Sequence, residues 1–115
     1  MADQSSRPGS GPIHSEFAGD PEMKELIELF LSELPQRIES INAAFRDGDA
    51  ATLTRLTHQL RGASAGYGFP TLGSAAGEIE DRLRTLGKAA APLALAKVSA
   101  EVNTLIDLCR RASAA

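Results

Sequence analysis

Four stretches of this chain repeat apolar residues at intervals of three and four, and each is bounded by glycine, proline or aspartate, which restricts the chain to packed helices. The first stretch carries Ile27, Phe30, Leu34, Ile38, Ile41 and Phe45. Its period runs straight through Pro35, which has no N–H for the carbonyl of Leu31, so the pattern predicts a short helix, a kink at Leu34–Pro35 and a longer helix in nearly the same line. The second, residues 50–66, aligns Leu53, Leu56, Leu60, Ala63 and Tyr67. The third, residues 70–86, aligns Leu72, Ala76, Ile79, Leu83 and Leu86, and the fourth, residues 92–111, aligns Leu95, Val98, Val102, Leu105 and Cys109. Asp20 before Pro21 reads as an N-cap followed by proline at the first helical position, with Glu22 and Glu25 near the first turn. Asp47–Gly48–Asp49 stops one helix and caps the next, Gly66, Gly68 and Pro70 make the following break, and residues 87–91 make the last turn. Long amphipathic helices joined by short loops predict an all-α fold, an antiparallel up-and-down four-helix bundle with a short additional N-terminal helix.

Composition agrees with helices. The chain has 115 residues, no tryptophan and 4% aromatics, so a single domain must build its core from Leu, Ile, Val and Ala. Net charge is -3, and Arg82, Arg84, Lys88, Arg110 and Arg111 are isolated or interleaved with acids, which leaves no basic stripe for nucleic acid. The lone Cys109 excludes an intramolecular disulfide and continues an apolar stripe, so it reads as a small buried hydrophobe. No stretch resembles a signal h-region or reaches transmembrane length, which points to a cytoplasmic chain off the membrane, expected to be monomeric. Residues 1–18 are rich in Ser, Gly and Pro and predict a flexible tail ahead of a domain at 19–112. His14 falls in that tail, with no ligand partner at metal-binding spacing. The cap at Asp20 and the initial methionine suggest a free-standing protein.

The segment His58-Gln59-Leu60-Arg61-Gly62-Ala63-Ser64-Ala65-Gly66-Tyr67-Gly68 carries the chemistry. At 100° per residue, His58 points roughly 180° away from the middle of the apolar stripe of its helix. Thr54, Arg61, Gly62 and Ala65 surround it. Glycine at 62 costs a helix on the order of 1 kcal/mol relative to alanine, so the position reads as one that needs the missing side chain. An exposed imidazole with a cation and a glycine one turn later is suited to hold a phosphoryl group.

This block, His-x-Leu-Arg-Gly-x-Ser-x-x-x-Gly, resembles that of the histidine-containing phosphotransfer (HPt) domains of bacterial phosphorelays, over about residues 20 to 112. The resemblance implies reversible transfer of a phosphoryl group between His58 and aspartates of response-regulator receiver domains, with a hybrid histidine kinase as a further partner. Arg61 departs from the lysine usual in the family, keeping the charge but replacing an ammonium with a wider, planar guanidinium. Glu80 matches, without gaps, the place where the family has a Gln or Glu bonded to the imidazole.

Transfer through histidine needs a neutral ring with its Nε2 lone pair toward solvent, and a carboxylate that accepts the Nδ1 hydrogen fixes that tautomer. Glu80 is the candidate, against the plainer reading of a solvated carboxylate paired with Arg84 one turn on. Arg61 offers planar donors to phosphoryl oxygens, or is simply an exposed arginine. Gly62 clears the approach to Nε2; its position opposite the stripe weakens the alternative, a close helix crossing. Ser64 is expected to bond the carbonyl of Leu60 and shape the helix. The chain has no Walker motif, nucleotide lid or acid cluster on strand ends, so it is expected to be no enzyme, to bind no cofactor and to rely on the receiver for Mg²⁺. The competing reading is a non-phosphorylated docking module. A bundle enzyme or metal carrier would need Glu-x-x-His pairs, which are missing.

Overall fold

The computed structural model describes residues 11–87 and 95–113. Its described part is all-α apart from one short pairing. Four helices, α1 (Lys24–Arg46), α2 (Ala50–Gly66), α3 (Pro70–Leu86) and α4 (Ser99–Arg111), are accompanied by two-residue strands β1 (Ile13–His14) and β2 (Ala112–Ser113). Leu95–Lys97 is also helical and meets α4 through a turn at Val98. The turn expected at 88–91 and the helix start expected at 92 lie outside the described residues.

α1 corrects two expectations. It is one continuous 23-residue helix with Pro35 inside it, and no separate short N-terminal helix precedes it among the described residues. Pro35 is exposed, so its ring faces solvent and the loss of one bond does not split the helix. The start also lies later than Asp20. That carboxylate accepts from the amide of Glu22 at 2.9 Å, and Met23 N–H bonds the Asp20 carbonyl at 3.0 Å, so Pro21–Glu22–Met23 form a turn before the helix proper.

α2 and α3 run as the punctuation predicts. Asp49 accepts from the Thr52 amide at 3.1 Å, and the hydrogen bonding of Thr52 holds the Asp49 carboxyl below its ordinary range. Pro70 opens α3, where its missing N–H costs nothing. Between them Gly68 takes φ +85°, a left-handed conformation that favours glycine.

α2 packs on α1 and α3, and α4 packs on α3 and α1, so the four helices close a ring around one core. Phe30, Leu53, Leu60, Phe69, Leu72, Ile79, Val98, Val102 and Leu105 sit at its centre. Phe30 of α1 stacks on Tyr67 and Phe69, at centroid separations of 5.1 and 5.5 Å. Burial pushes the Cys109 thiol up to about 12, as befits a packed hydrophobe.

Residues 11–18 lie differently from the flexible tail their composition suggests. β1 pairs in parallel with β2, Arg111 Nε donates to the Gly11 carbonyl at 2.9 Å, and Glu16 N–H donates to the Gly68 carbonyl at 2.7 Å. Ser15 is buried, and its hydroxyl donates to the Tyr67 carbonyl at 2.6 Å. The backbone bonds and one small side chain offset the ordering entropy that hydrophobic burial alone would not cover.

Candidate functional site

The buried face of α2 decides where its functional side chains point. Leu53, Thr57, Leu60 and Ser64 are its buried residues, whereas Leu56, Ala63 and Tyr67 are only half-buried. The core therefore sees a stripe centred on Thr57, Leu60 and Ser64, rotated from the purely apolar one. Relative to that centre, His58 lies about 130° round the helix, Arg61 about 70° on the same side and Gly62 about 170° away. His58 is thus on the flank facing α3 and not diametrically opposite the core, and this rotation brings it within reach of Glu80.

The two hydroxyls inside the stripe differ. Thr57 Oγ1 donates within its own helix, toward the carbonyls of Leu53 at 2.9 Å and Thr54 at 3.0 Å, and so enters the core satisfied. Ser64 does not make the expected bond to Leu60. Its Oγ is buried without a partner, and its Cβ faces the backbone of Gly73, where an added methyl would stand 3.6 Å away. Ser64 therefore works at the α2–α3 crossing, as a residue small enough to let Gly73 approach.

Glu80 is the centre of the site. It belongs to the buried residues of α3, with its side chain only 5% exposed. Its Oε2 meets His58 Nδ1 at 2.8 Å and accepts from Arg84 Nε at 2.9 Å; its Oε1 accepts from Arg61 at 3.4 Å. Burial is the largest single influence on this carboxyl and pushes it up, yet the bonds from Arg84, His58 and Arg61 together outweigh burial and hold it below its ordinary range. Glu80 is therefore an ionised acceptor. An ionised carboxylate accepts a hydrogen bond from Nδ1–H, and in the neutral ring that leaves the Nε2 lone pair free. The His58 side chain is 65% exposed, and Nε2 has no partner among the described residues. The plainer reading of Glu80 captured one true contact, since the i+4 pair with Arg84 coexists with the bond to His58.

Arg61 leans across α3. Its guanidinium also lies 3.5 Å from Asp81, an exposed carboxylate. Gly62 faces solvent, and a Cβ built there meets nothing within 4 Å. On the other side of His58, a groove of about 490 Å³ is lined by Thr54, Arg55, Leu83 and Arg84. Thus His58, Arg61 and Glu80 converge, Gly62 flanks them with open space, and Ser64 is a packing residue beneath. His14 is exposed on β1, paired through its backbone with Ser113.

The Hpt domain family matches this chain over residues 25–114. The chain belongs to the Hpt domain family. That span takes in the four helices but for the first residue of α1, together with the whole of the His58 neighbourhood, and it makes the protein a phosphotransfer module of two-component signalling. Hpt domains are phosphocarrier modules without kinase activity that work with response-regulator receiver domains and kinases. No curated protein and no solved structure matches the chain. No helix among the described residues is long and apolar enough to cross a membrane.

Three residues close to His58 or Arg61 have weaker signals in the sequence. Arg84 was visible only as an ion-pair partner of Glu80, although the same i+4 spacing also carries it to the His58 groove. Asp81 had no signal beyond its adjacency to Glu80. Gly77 did have one, because glycine in mid-helix is unfavourable wherever it occurs, and the reasoning applied to Gly62 applies equally to it.

Proposed function

We propose that His58 is the phosphorylated residue and that it exchanges phosphoryl groups with aspartates of receiver domains. The observation that carries this reading is the 2.8 Å contact of His58 Nδ1 with a buried, ionised Glu80, on a ring otherwise turned to solvent. In the forward step the Nε2 lone pair attacks phosphorus, the P–N bond forms as the P–O bond to the aspartate breaks, and the carboxylate departs with its electron pair. Nδ1 keeps its hydrogen throughout. The ring becomes cationic as it is phosphorylated, and the adjacent Glu80 carboxylate stabilises that charge. Arg61 supplies donors to the phosphoryl oxygens. Gly62 leaves the approach clear, and Ser64 supports the helix from beneath.

The same reading takes the ring of four packed helices as an antiparallel up-and-down bundle over residues 19–112. The protein acts as a monomeric carrier in the cytoplasm, without kinase activity of its own and without binding nucleic acid. Mg²⁺ is held by the receiver partner. A docking module that is never phosphorylated would have no use for a tautomer-fixing carboxylate, which favours the carrier reading over that alternative.

The test is transfer of label from a panel of phosphorylated receiver domains. The expected product is stable in alkali and labile in acid, absent in His58→Gln and unchanged in His14→Gln. Equal labelling of the two variants, or label on a residue other than His58, overturns the assignment.

A further inference from the structure

Arg61 reaches Glu80 and Asp81 by passing over one residue of α3, Gly77. A Cβ built on Gly77 would stand 2.9 Å from Arg61 Nε and 3.1 Å from both its Cδ and Cζ. All three of these nearest atoms belong to the same arginine side chain; none is backbone. Gly77 is therefore a different kind of glycine from Gly73, whose built Cβ comes closest to the Arg61 carbonyl at 3.3 Å and so bears on the helix crossing itself. It differs also from Gly62, which faces open space. The guanidinium is planar and broad, and it lies flat across a helix only where no side chain stands beneath it.

We propose that Gly77 is a positioning residue: a notch in α3 that seats the Arg61 guanidinium beside Glu80, matched to arginine and not needed by a lysine at the same position. This inference rests on the phosphocarrier reading and adds to it the residue through which the cation of the site is placed. A methyl group at 77 lifts Arg61 off α3, stretching contacts to Glu80 and Asp81 that already stand at 3.4 and 3.5 Å. The cation then meets the phosphoryl oxygens from the wrong place. A lysine stem is slim and ends in a compact ammonium with freely rotating donors, so it passes the same methyl group without losing its reach.

The experiment compares the parent with Gly77→Ala, Arg61→Lys and the double variant. Three quantities are read: the rate of label transfer from a phosphorylated receiver, the Tm, and the NMR resonance of the Arg61 Nε–H. Gly77→Ala should transfer about tenfold to a hundredfold more slowly, as expected when a charge-stabilising group is displaced by about an ångström. Its Tm should equal or exceed the parental value, because alanine is the better helix former. Its Arg61 Nε–H resonance should shift. In the Arg61→Lys background the same Gly77→Ala change should alter the rate by less than about twofold. Parental transfer by Gly77→Ala, or an equal loss in the lysine background, overturns the proposal. A lowered Tm also overturns it, since the methyl group would then be meeting the helix and not the arginine. Should the parent accept no label from any receiver, the phosphocarrier reading fails by itself, and the Nε–H resonance still decides whether Gly77 seats Arg61.

Discussion

Glu80 gathers three partners on a carboxylate that its helix has almost buried, and each contact leaves a different trace. Glu80→Ala removes the acceptor of the Nδ1 hydrogen, so the share of the His58 tautomer with its lone pair on Nδ1 should rise. Nitrogen-resolved NMR of His58 reads that ratio, and an unchanged ratio would reduce Glu80 to a partner of Arg84 and Arg61. Arg61→Ala should leave the unphosphorylated ring alone but slow transfer and shorten the lifetime of phosphohistidine, since its donors matter when phosphoryl charge is present. Acid offers a third check. Because the native Glu80 carboxyl sits below its ordinary value of 4.5, the stability it contributes is fully present above that pH and is lost as pH falls through the native value. Denaturation in steps from pH 6 downward should therefore show a shallower acid decline in Glu80→Gln than in the parent. The resemblance to HPt domains, which have a Gln or Glu bonded to the imidazole at this place, made Glu80 legible in the sequence. The burial that makes it a strong acceptor was not, because a glutamate at the edge of an apolar stripe reads the same whether or not a neighbouring helix covers it.

At the scale of the element, α2 has two packing sides, and the sequence displayed only one. The apolar stripe through Leu56, Ala63 and Tyr67 was visible, while the side toward α3 buries Thr57 and Ser64 beside it. Threonine and serine look solvent-facing by hydropathy. Thr57 is admitted to the core by its intrahelical bond and Ser64 by its size, and neither feature is periodic. Gly62 lies on the exposed side, as its place opposite the apolar stripe predicts, and this sets a test of element against function. Gly62→Leu should stabilise α2, by about 1 kcal/mol at most, because leucine is the better helix former and the space is open. Transfer should slow, because the side chain stands beside the approach to Nε2. A variant both slower and less stable would make Gly62 a packing residue. Pro35 shows the same limit from the other direction: one missing N–H predicted a kink between two helices, but an exposed proline within otherwise continuous packing leaves α1 a single helix.

Across the whole molecule, the helices alone do not account for how the ends are held. Residues 11–18 run past the end of α4 and on to the α2–α3 turn, joining the two ends of the described chain to the last residues of the His58 motif. Composition could not reveal this, because the contacts are mostly backbone pairings, a serine hydroxyl and the Arg111 side chain, and the packing of Ile13 against the core is too short a run to make a hydrophobic pattern. The close approach is possible because Gly68 has no side chain: a Cβ there would stand 2.5 Å from Ser15 Oγ and 3.0 Å from the Glu16 amide, at a φ that already favours glycine. Ser15→Ala should cost about 1 kcal/mol, the net worth of a buried hydrogen bond, with the freed Tyr67 carbonyl able to take water as the strap loosens. Gly68→Ala should cost more, about 1–3 kcal/mol, since it adds backbone strain to eviction of the strap. If the strap is one cooperative contact, the two losses are not independent. The double variant should fall short of their sum, because once the methyl group at 68 has displaced Ser15 there is no bond left for the second change to remove. Chemical denaturation of the four proteins measures this, and strictly additive losses would mean that Ser15 and Gly68 stabilise the fold separately, with no strap joining the chain's beginning to the turn behind His58.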